Sequence, residues 1–356
     1  MTDGSTDSEP DDDARGRSAA KPWQVPWTGW KDVLWRVARE IEADDVLDVA
    51  GSVAFYGLLA LFPALIATVS MYGMLADPVD IVRQVNRLSV AVPGLARSIV
   101  IDQLNDIQQA SDAGLRLGFF LSLAVATFSA SGGVAALMRG INKAYDEEET
   151  RGWIRFRLLA LVLTLGFAAF VVVSVGLITL LPTVLKYVYL EAPAREFIQA
   201  ARWPALAAAT IVGLGILYRY APNRTPPKWQ WVTPGALLAT VIWTLASLSF
   251  SLYADNFGRF NRTYGTLGGA VVLALWMFLS AFAILLGAEL NSELEHQTAE
   301  DSTIGPQRPM GERGATVADR LGDPRPSTPR AQGKRSLWRD KLSELNRPRR
   351  GKRRAS

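Results

Sequence analysis

Three residues of the first long apolar stretch have properties that suit a transport pathway. Ser52 and Tyr56 are four residues apart, so on a helix they share a face and would form the start of a polar path. Pro63 removes a backbone hydrogen bond and predicts a break in the helix, and broken helices line many transport sites because their freed carbonyls bind ions or substrates. Helix–helix hydrogen bonds and a structural kink explain the same three residues without transport.

A second candidate group lies in the connection between the last two apolar stretches. Asp255 precedes Arg262 and Tyr264 there. Asp255 with Arg259 or Arg262 would form a gate-like ion pair or a site for an anionic headgroup. A structural turn is the competing interpretation.

A third group lies where the last apolar stretch ends, at Glu289 and Asn291. An acidic side chain inside hydrocarbon is a functional candidate by default. At the membrane boundary, however, Glu289 would face lipid headgroups or pair with Arg139 of the second stretch. The sequence leaves these interpretations open.

A fourth group follows the second apolar stretch, where Arg139, Asn142 and Tyr145 precede four consecutive acids at 146–149. Carboxylate oxygens in such a run bind divalent cations in some proteins, but a solvated loop is the more common outcome. The sequence has no cysteine and one histidine, His296, which we expect to be solvated. Thiolate and multi-histidine metal sites are therefore excluded, and we expect no resident metal and no cofactor.

Six apolar stretches are long enough to position these groups within a membrane, because about 20 helical residues cross a bilayer. The fourth is short, but Trp203 and Tyr218 lie at its ends like interfacial anchors. The fold class is therefore all-α, a polytopic membrane helical bundle with six transmembrane helices. The predicted spans are 49–76, 117–138, 158–185, 203–218, 231–254 and 265–288.

Lysine and arginine placement predicts the orientation, since these residues favour cytoplasmic segments. With the N-terminus inside, the inner connections carry 12 lysines and arginines and the outer ones carry 9. A further 15 follow residue 289, in a segment with no apolar run. Both termini are therefore predicted to be cytoplasmic, and the protein is predicted to lie in the cell (inner) membrane.

The segments outside the spans divide the chain into three regions. Residues 1–26 are predicted to be a disordered acidic tail, 27–297 the membrane domain and 298–356 a disordered basic tail. Within the domain, 27–41 has the spacing of an interfacial amphipathic helix, and 79–110 of two extracytoplasmic helices split by Pro93-Gly94. The basic tail would attract anionic lipid headgroups, and a plain solvated tail is an equal alternative.

Four blocks of sequence resemble one family. They are AGSVAFYGLLALFPALIATVSMYG (50–73), INKAYDEEETRGW (141–153), YRYAPNRTPPKWQWVTPGALLAT (218–240) and the stretch 253–295 that ends in GAELNSELE. These blocks are similar to those of the YihY/BrkB family of bacterial inner-membrane proteins, over roughly residues 30–296. The resemblance implies a six-helix integral membrane fold. It implies little chemistry: the family has carried the labels virulence factor and ribonuclease BN, and transport or lipid handling are the leading suggestions for it.

Two functional hypotheses of different classes follow. The first is a transporter or flippase-like, lipid-translocating protein without its own nucleotide hydrolysis, since no Walker motif is present. It predicts a polar cavity lined by Tyr56, Pro63 and the sixth span. The alternative is a non-transporting scaffold that binds anionic lipids or partners, with a homo-oligomer possible in either case. No nucleophile–base pair is visible, nor the cluster of ligands that metal-dependent RNA cleavage needs, so an enzyme and a nucleic-acid partner are not expected.

Overall fold

Long helices account for most of the regular structure. A computed structural model describes residues 14–75, 112–187, 192–257 and 261–326. Its α-helices, numbered in chain order, are α1 (Trp27–Ala43), α2 (Val46–Leu75), α3 (Asp112–Ala144), α4 (Trp153–Thr179), α5 (Leu181–Tyr187), α6 (Ala192–Tyr220), α7 (Trp229–Phe257) and α8 (Asn261–Glu295). The predicted outer helical pair at 79–110, most of the acidic tail and the polybasic run at the C-terminal end lie outside the described residues.

Six of these helices are long and apolar enough to cross a membrane, namely α2, α3, α4, α6, α7 and α8. Large apolar side chains cover their outer surface, as Phe167, Val172 and Val173 do on α4, where each is exposed. Such an exposed surface fits hydrocarbon rather than water. The predicted all-α, six-span membrane fold is confirmed.

Two predictions about the spans are wrong in detail. The fourth span is not short: α6 continues through Arg195 and Arg202, and its apolar window runs from Pro193 to Tyr220. The first span is not broken, because α2 is continuous through Pro63. A proline removes only its own donor, and neighbouring helices support the rest of the helix.

All described polar connections lie at one end of the bundle. We call this region the polar cap, formed by residues 14–45, 145–152, 221–228 and 296–321. Its largest element is α1, which buries Val33 and Val37 against Leu290 and Leu294 of α8. Within the bundle, α2 packs along α3 and α8 packs along α7 and α2, so α8 joins the cap to the core of the spans.

The structure departs from the predicted tail boundaries. Backbone contacts tie the two segments flanking the domain together, with Ala299 N–H donating to the carbonyl of Arg17 at 2.7 Å. Arg313 is buried and donates to the carbonyls of Ala299 (2.7 Å) and Ala318 (2.6 Å). Residues 14–26 and 298–321 therefore belong to the cap, although their composition is typical of disorder. The compact unit that contains the spans ends at Leu321. The described residues beyond it, 322–326, have no regular secondary structure.

Candidate functional site

A buried ion pair in the cap joins α1 to α8. The guanidinium of Arg36 donates to the carboxylate of Glu293, to its backbone carbonyl (2.9 Å) and to the side-chain oxygen of Gln297 (2.9 Å). Arg36 and Glu293 are buried, and His296 is also close to Glu293, with Nδ1 3.5 Å from a carboxylate oxygen. His296 is therefore packed beside an acid rather than solvated. Because Arg36 is satisfied by protein acceptors, its role is structural.

A second buried ion pair joins Arg224 to Glu295 at 2.7 Å. Neither side chain is exposed to solvent. Arg224 also stacks on the ring of Tyr145, 4.9 Å from its centroid. Burial acts to lower the pKa of Arg224, but the carboxylate of Glu295 reverses this and raises the pKa above its ordinary value. Burial also raises the pKa of Tyr145 well above 10, and the negative charge of Glu295 raises it further.

The acidic run after α3 is held by protein groups. Glu149 accepts from Asn142 at 2.9 Å and from Arg151 at 2.6 Å and 2.7 Å. The side chain of Asn142 also accepts from the backbone N–H of Asn223 at 2.8 Å. Burial acts to raise the pKa of Glu149, but the hydrogen bonds from Arg151 and Asn142 hold it below its usual value. Asn142, predicted as a candidate loop residue, therefore braces two connections of the cap.

Glu289 lies at the inner edge of the cap and is only 1% exposed. Its carboxyl group is hydrogen-bonded to that of Asp44, in the turn between α1 and α2. Neither predicted environment is correct, because Glu289 faces no headgroup and Arg139 lies elsewhere, as described below. Burial raises the pKa of Asp44 to about 6, helped by the negative charges of Asp146 and Glu40.

Asn291 braces α7 against α8 where the two helices approach most closely. It accepts from the N–H of Gly235 at 2.7 Å and donates to the carbonyl of Val232 at 3.1 Å. A methyl group at Gly235 would lie 1.9 Å from the carbonyl oxygen of Gly287. Only a residue without a side chain fits at this contact. Asn291 thus packs α7 against α8.

A cavity of about 360 Å³ lies on the side of the bundle, between α2, α3 and α4. We call it the lateral groove. Its described lining residues are Tyr56, Leu59, Phe128, Ser129, Gly132, Ala135, Arg139 and Arg157. Leu59 is 46% exposed and Phe128 is 60% exposed, so the groove opens on the outer, lipid-facing surface.

The groove matches the predicted cavity only in part. Tyr56 lines it and packs its ring on Gly132, where an added methyl group would lie 2.7 Å from the tyrosine ring. Pro63 and the sixth span are not among its described lining residues. Ser52, on the same predicted face as Tyr56, is exposed and donates to the carbonyl of Asp48 in its own helix at 3.0 Å. The predicted path along α2 therefore contributes one residue to the groove.

Arg157 places a positive charge in the groove. One terminal nitrogen of its guanidinium donates to the carbonyl of Phe128 at 3.2 Å, and the guanidinium lies 4.4 Å from the ring centroid of Phe128. Phe128 is near the middle of the apolar window Leu117–Ala144, about 24 Å along α3 from its cap end. The Nε of Arg157 is buried and has no hydrogen-bond partner among the described residues. A buried donor without a partner is costly and calls for an explanation.

The ion pair predicted for Asp255 and Arg262 stays a prediction. Asp255 is part of α7, and Arg262 and Tyr264 are part of α8, so the connection between the two helices is shorter than predicted. Their side chains lie outside the described residues.

Several residues that build the cap and the groove were missed by sequence reasoning. They are Arg36, Asp44, Arg157, Arg224, Glu293 and Glu295. The sequence could have indicated two of them. Glu293 follows Glu289 by four residues and Glu295 follows Asn291 by four, so each shares a helix face with a residue that was predicted. Within the described chain, no group of three or more histidine, aspartate or glutamate side chains is arranged to hold a metal ion.

The fold and the cap together define a class, a multi-pass α-helical membrane protein with six spans and a packed polar cap at one end. Within that class, the virulence factor BrkB family matches residues 37–311, and the chain belongs to this family. The match extends past residue 298, in agreement with the inclusion of the following segment in the cap.

Individual relatives carry uninformative names. A protein whose name calls it ribonuclease-like, YfkH of Bacillus subtilis (strain 168), is 32% identical over 69% of this chain and 88% of its own length. A UPF0761 membrane protein of Stenotrophomonas maltophilia (strain K279a) is 34% identical over 27% of this chain and 24% of its own length. A UPF0761 membrane protein of Tolumonas auensis is 35% identical, and this chain covers 27% of it. No solved structure matches this chain.

Proposed function

We propose that this protein moves an amphipathic substrate, such as a lipid, across the membrane through the lateral groove, without nucleotide hydrolysis or other catalysis of its own. The observation that carries the proposal is the position of the groove. It opens to the lipid side between apolar residues, yet Tyr56, Ser129 and two arginines supply a polar lining. An amphipathic molecule that keeps its tail in hydrocarbon needs such a lateral polar path for its headgroup.

The rest of the bundle supports this choice of location. In the cap, each buried arginine is paired with a buried acid, Arg36 with Glu293 and Arg224 with Glu295. In the groove, by contrast, Arg157 has a buried donor that finds no acceptor within the part of the chain that the structure describes. Arg157 belongs to the first two turns of α4, and its guanidinium lies against Phe128 of α3. An ionisable side chain within a span is costly and is usually retained for function. The groove is therefore the better candidate for substrate contact.

A reconstitution experiment tests this function. Purified full-length protein is placed in liposomes that contain a fluorescently labelled phospholipid, and dithionite is added outside to bleach the outer leaflet. Transport across the bilayer lets bleaching continue beyond the outer half of the label, whereas bleaching that stops at the same level as in protein-free liposomes contradicts the proposal.

We further propose that the cap is cytoplasmic, so that the described segments flanking the spans lie inside an inner (plasma) membrane. The excess of lysine and arginine in the cap-side segments supports this orientation. Because the chain has no cysteine, a single Glu148→Cys variant reports the side directly. A membrane-impermeant maleimide should label it only after the cells are permeabilised, and labelling of intact cells would reverse the topology.

One observation favours the scaffold as a second candidate. Trp23 and Trp27 are both 67% exposed on the cap surface, with Lys21 and Lys31 against their rings. Exposed tryptophans beside lysines suit an interface with anionic lipid. A scaffold would bind lipid on this surface without moving it, so liposomes that recruit the protein but show no added bleaching would favour it.

A further inference from the structure

We propose that the lateral groove is selective for an anionic phospholipid, with Arg157 and Arg139 binding its phosphate. This inference rests on the proposed function, since it names the substrate class of the same groove. It concerns the headgroup chemistry, which the shape of the groove alone does not specify.

The donors of Arg157 point to a phosphate. A guanidinium has five N–H donors in a rigid fork that matches the oxygens of a phosphate. In Arg157 one terminal nitrogen is engaged by the carbonyl of Phe128, and the Nε has no partner among the described residues. An arginine that served only as an interfacial anchor would extend towards the headgroup region. Arg157 instead contacts Phe128 near the middle of the α3 span.

Arg139 supplies the second positive charge and an entry point. It lies on α3 closer to the cap than Phe128, it is exposed, and no ion pair engages it within the described chain. Tyr56 and Ser129 add hydroxyl groups between the cap side and the middle of the bundle. A phosphate entering from the cap-side leaflet would therefore meet Arg139 first and Arg157 next.

The same lining excludes the main alternatives. None of the described lining residues is acidic, so nothing there would bind the cationic end of a zwitterionic headgroup. Leu59 and Phe128 present apolar surface at the mouth, which suits acyl chains and not a free anion in water. Buried and unpaired Nε atoms also occur at Arg195, Arg202 and Arg219, but none of these arginines lines the groove.

Native mass spectrometry of the full-length protein tests the inference by titration with phosphatidylglycerol and, separately, phosphatidylcholine. We expect tighter binding of phosphatidylglycerol by about tenfold or more, because both lipids carry the phosphate but the choline cation of phosphatidylcholine would be repelled by the two arginines and would find no acidic partner in the lining. The double variant Arg139→Gln/Arg157→Gln should lose the preference, and Arg157→Lys should retain part of it. Arg219→Gln, an arginine on the same side of the membrane but outside the groove, is the matched control and should bind like the wild type.

Three results would overturn the inference: equal affinity of the wild type for both lipids, an unchanged preference in the double variant, or displacement of phosphatidylglycerol by millimolar inorganic phosphate. Thermal unfolding of each variant shows that it is folded, and Arg157→Lys keeps the test valid if the double variant is not. Headgroup selectivity and lipid movement are measured separately. If the protein moves lipid in liposomes but binds both lipids equally, the selectivity for anionic phospholipid is wrong and the proposed transport stands. If it prefers phosphatidylglycerol but moves no lipid, the proposed transport is wrong and the selectivity of the groove stands.

Discussion

The polar cap and the lateral groove both contain arginines, but the surroundings of those arginines differ. In the cap, Arg36 and Arg224 are buried against Glu293 and Glu295, and further protein acceptors complete their hydrogen bonding. In the groove, Arg157 contacts a backbone carbonyl and an aromatic ring, and no acidic partner is found for it in the described parts of the chain. The number of polar groups is therefore a poor guide to function in this protein. Whether the donors are already satisfied separates the structural region from the candidate binding region.

The difference has an energetic basis. A buried ion pair is costly to break, because the remaining partner is left as an unpaired charge. No ion pair engages Arg139 or Arg157 within the described residues, so replacing them leaves no buried acid without its partner. We therefore expect changes in the cap to affect folding first, and changes in the groove to affect ligand binding with little effect on folding.

Removal of Arg224 should give the largest loss of stability. Arg224→Ala leaves the carboxylate of Glu295 buried without its partner, at a cost of about 3–5 kcal/mol. The midpoint of thermal unfolding in detergent, followed by tryptophan fluorescence, should fall by roughly 10 °C. Arg151→Ala, which breaks the more accessible pair with Glu149, is the control and should cost less than about 1 kcal/mol. Equal losses in the two variants would contradict the special role of the buried pair.

The contact between α7 and α8 should be the next most sensitive place. Gly235→Ala puts a methyl group 1.9 Å from the carbonyl oxygen of Gly287, so the helices must separate. We expect a loss of about 1–3 kcal/mol, as for other overpacked contacts. Gly166→Ala on α4 adds a methyl group with no atom within 4 Å and should leave the unfolding temperature unchanged. A neutral Gly235→Ala would mean that α7 and α8 approach each other less closely than we describe.

The turn that holds Asp44 should give a smaller, pH-dependent effect. The pKa of Asp44 is about 6 in the folded protein, against an ordinary value of 3.8. The folded state therefore binds the proton more tightly, and this contribution to stability is complete below about pH 4 and is lost as the pH rises through 6. The groups that face it are the charges of Asp146, Glu40 and Lys143 and the hydrogen-bonded carboxyl group of Glu289.

Asp44→Asn should remove that dependence. Between pH 4 and pH 6.5, the unfolding temperature of the wild type should fall by a few degrees relative to that of the variant. Asp45→Asn, in the same turn but exposed, is the control. A difference that stays constant over this range would show that the carboxyl pair does not hold a proton.

Pro63→Ala should have the smallest effect. Since α2 is continuous and Pro63 does not line the groove among its described residues, lipid movement in liposomes should stay within about twofold of the wild-type rate. A complete loss of movement would restore the broken helix as the site of transport and would weaken the assignment to the groove.

The sequence predicted the fold better than the site. Spans are set by apolar length, which can be counted, and the family resemblance agreed with that count. The partners of Glu289 could not be predicted, because Asp44 is 245 residues away in the sequence and meets it only through the packing of α1 against α8. The order of 298–321 was missed for a similar reason, since it depends on bonds from Arg313 to particular carbonyls and not on apolar content.

The division between cap and groove is tested most directly by lipid movement in liposomes, comparing wild type, Arg139→Gln/Arg157→Gln and Arg219→Gln at equal protein content. We predict that the double variant stops at the level of protein-free liposomes while its unfolding temperature stays within a few degrees of the wild type, and that Arg219→Gln behaves like the wild type. A double variant that is folded and moves lipid at the wild-type rate would contradict the account.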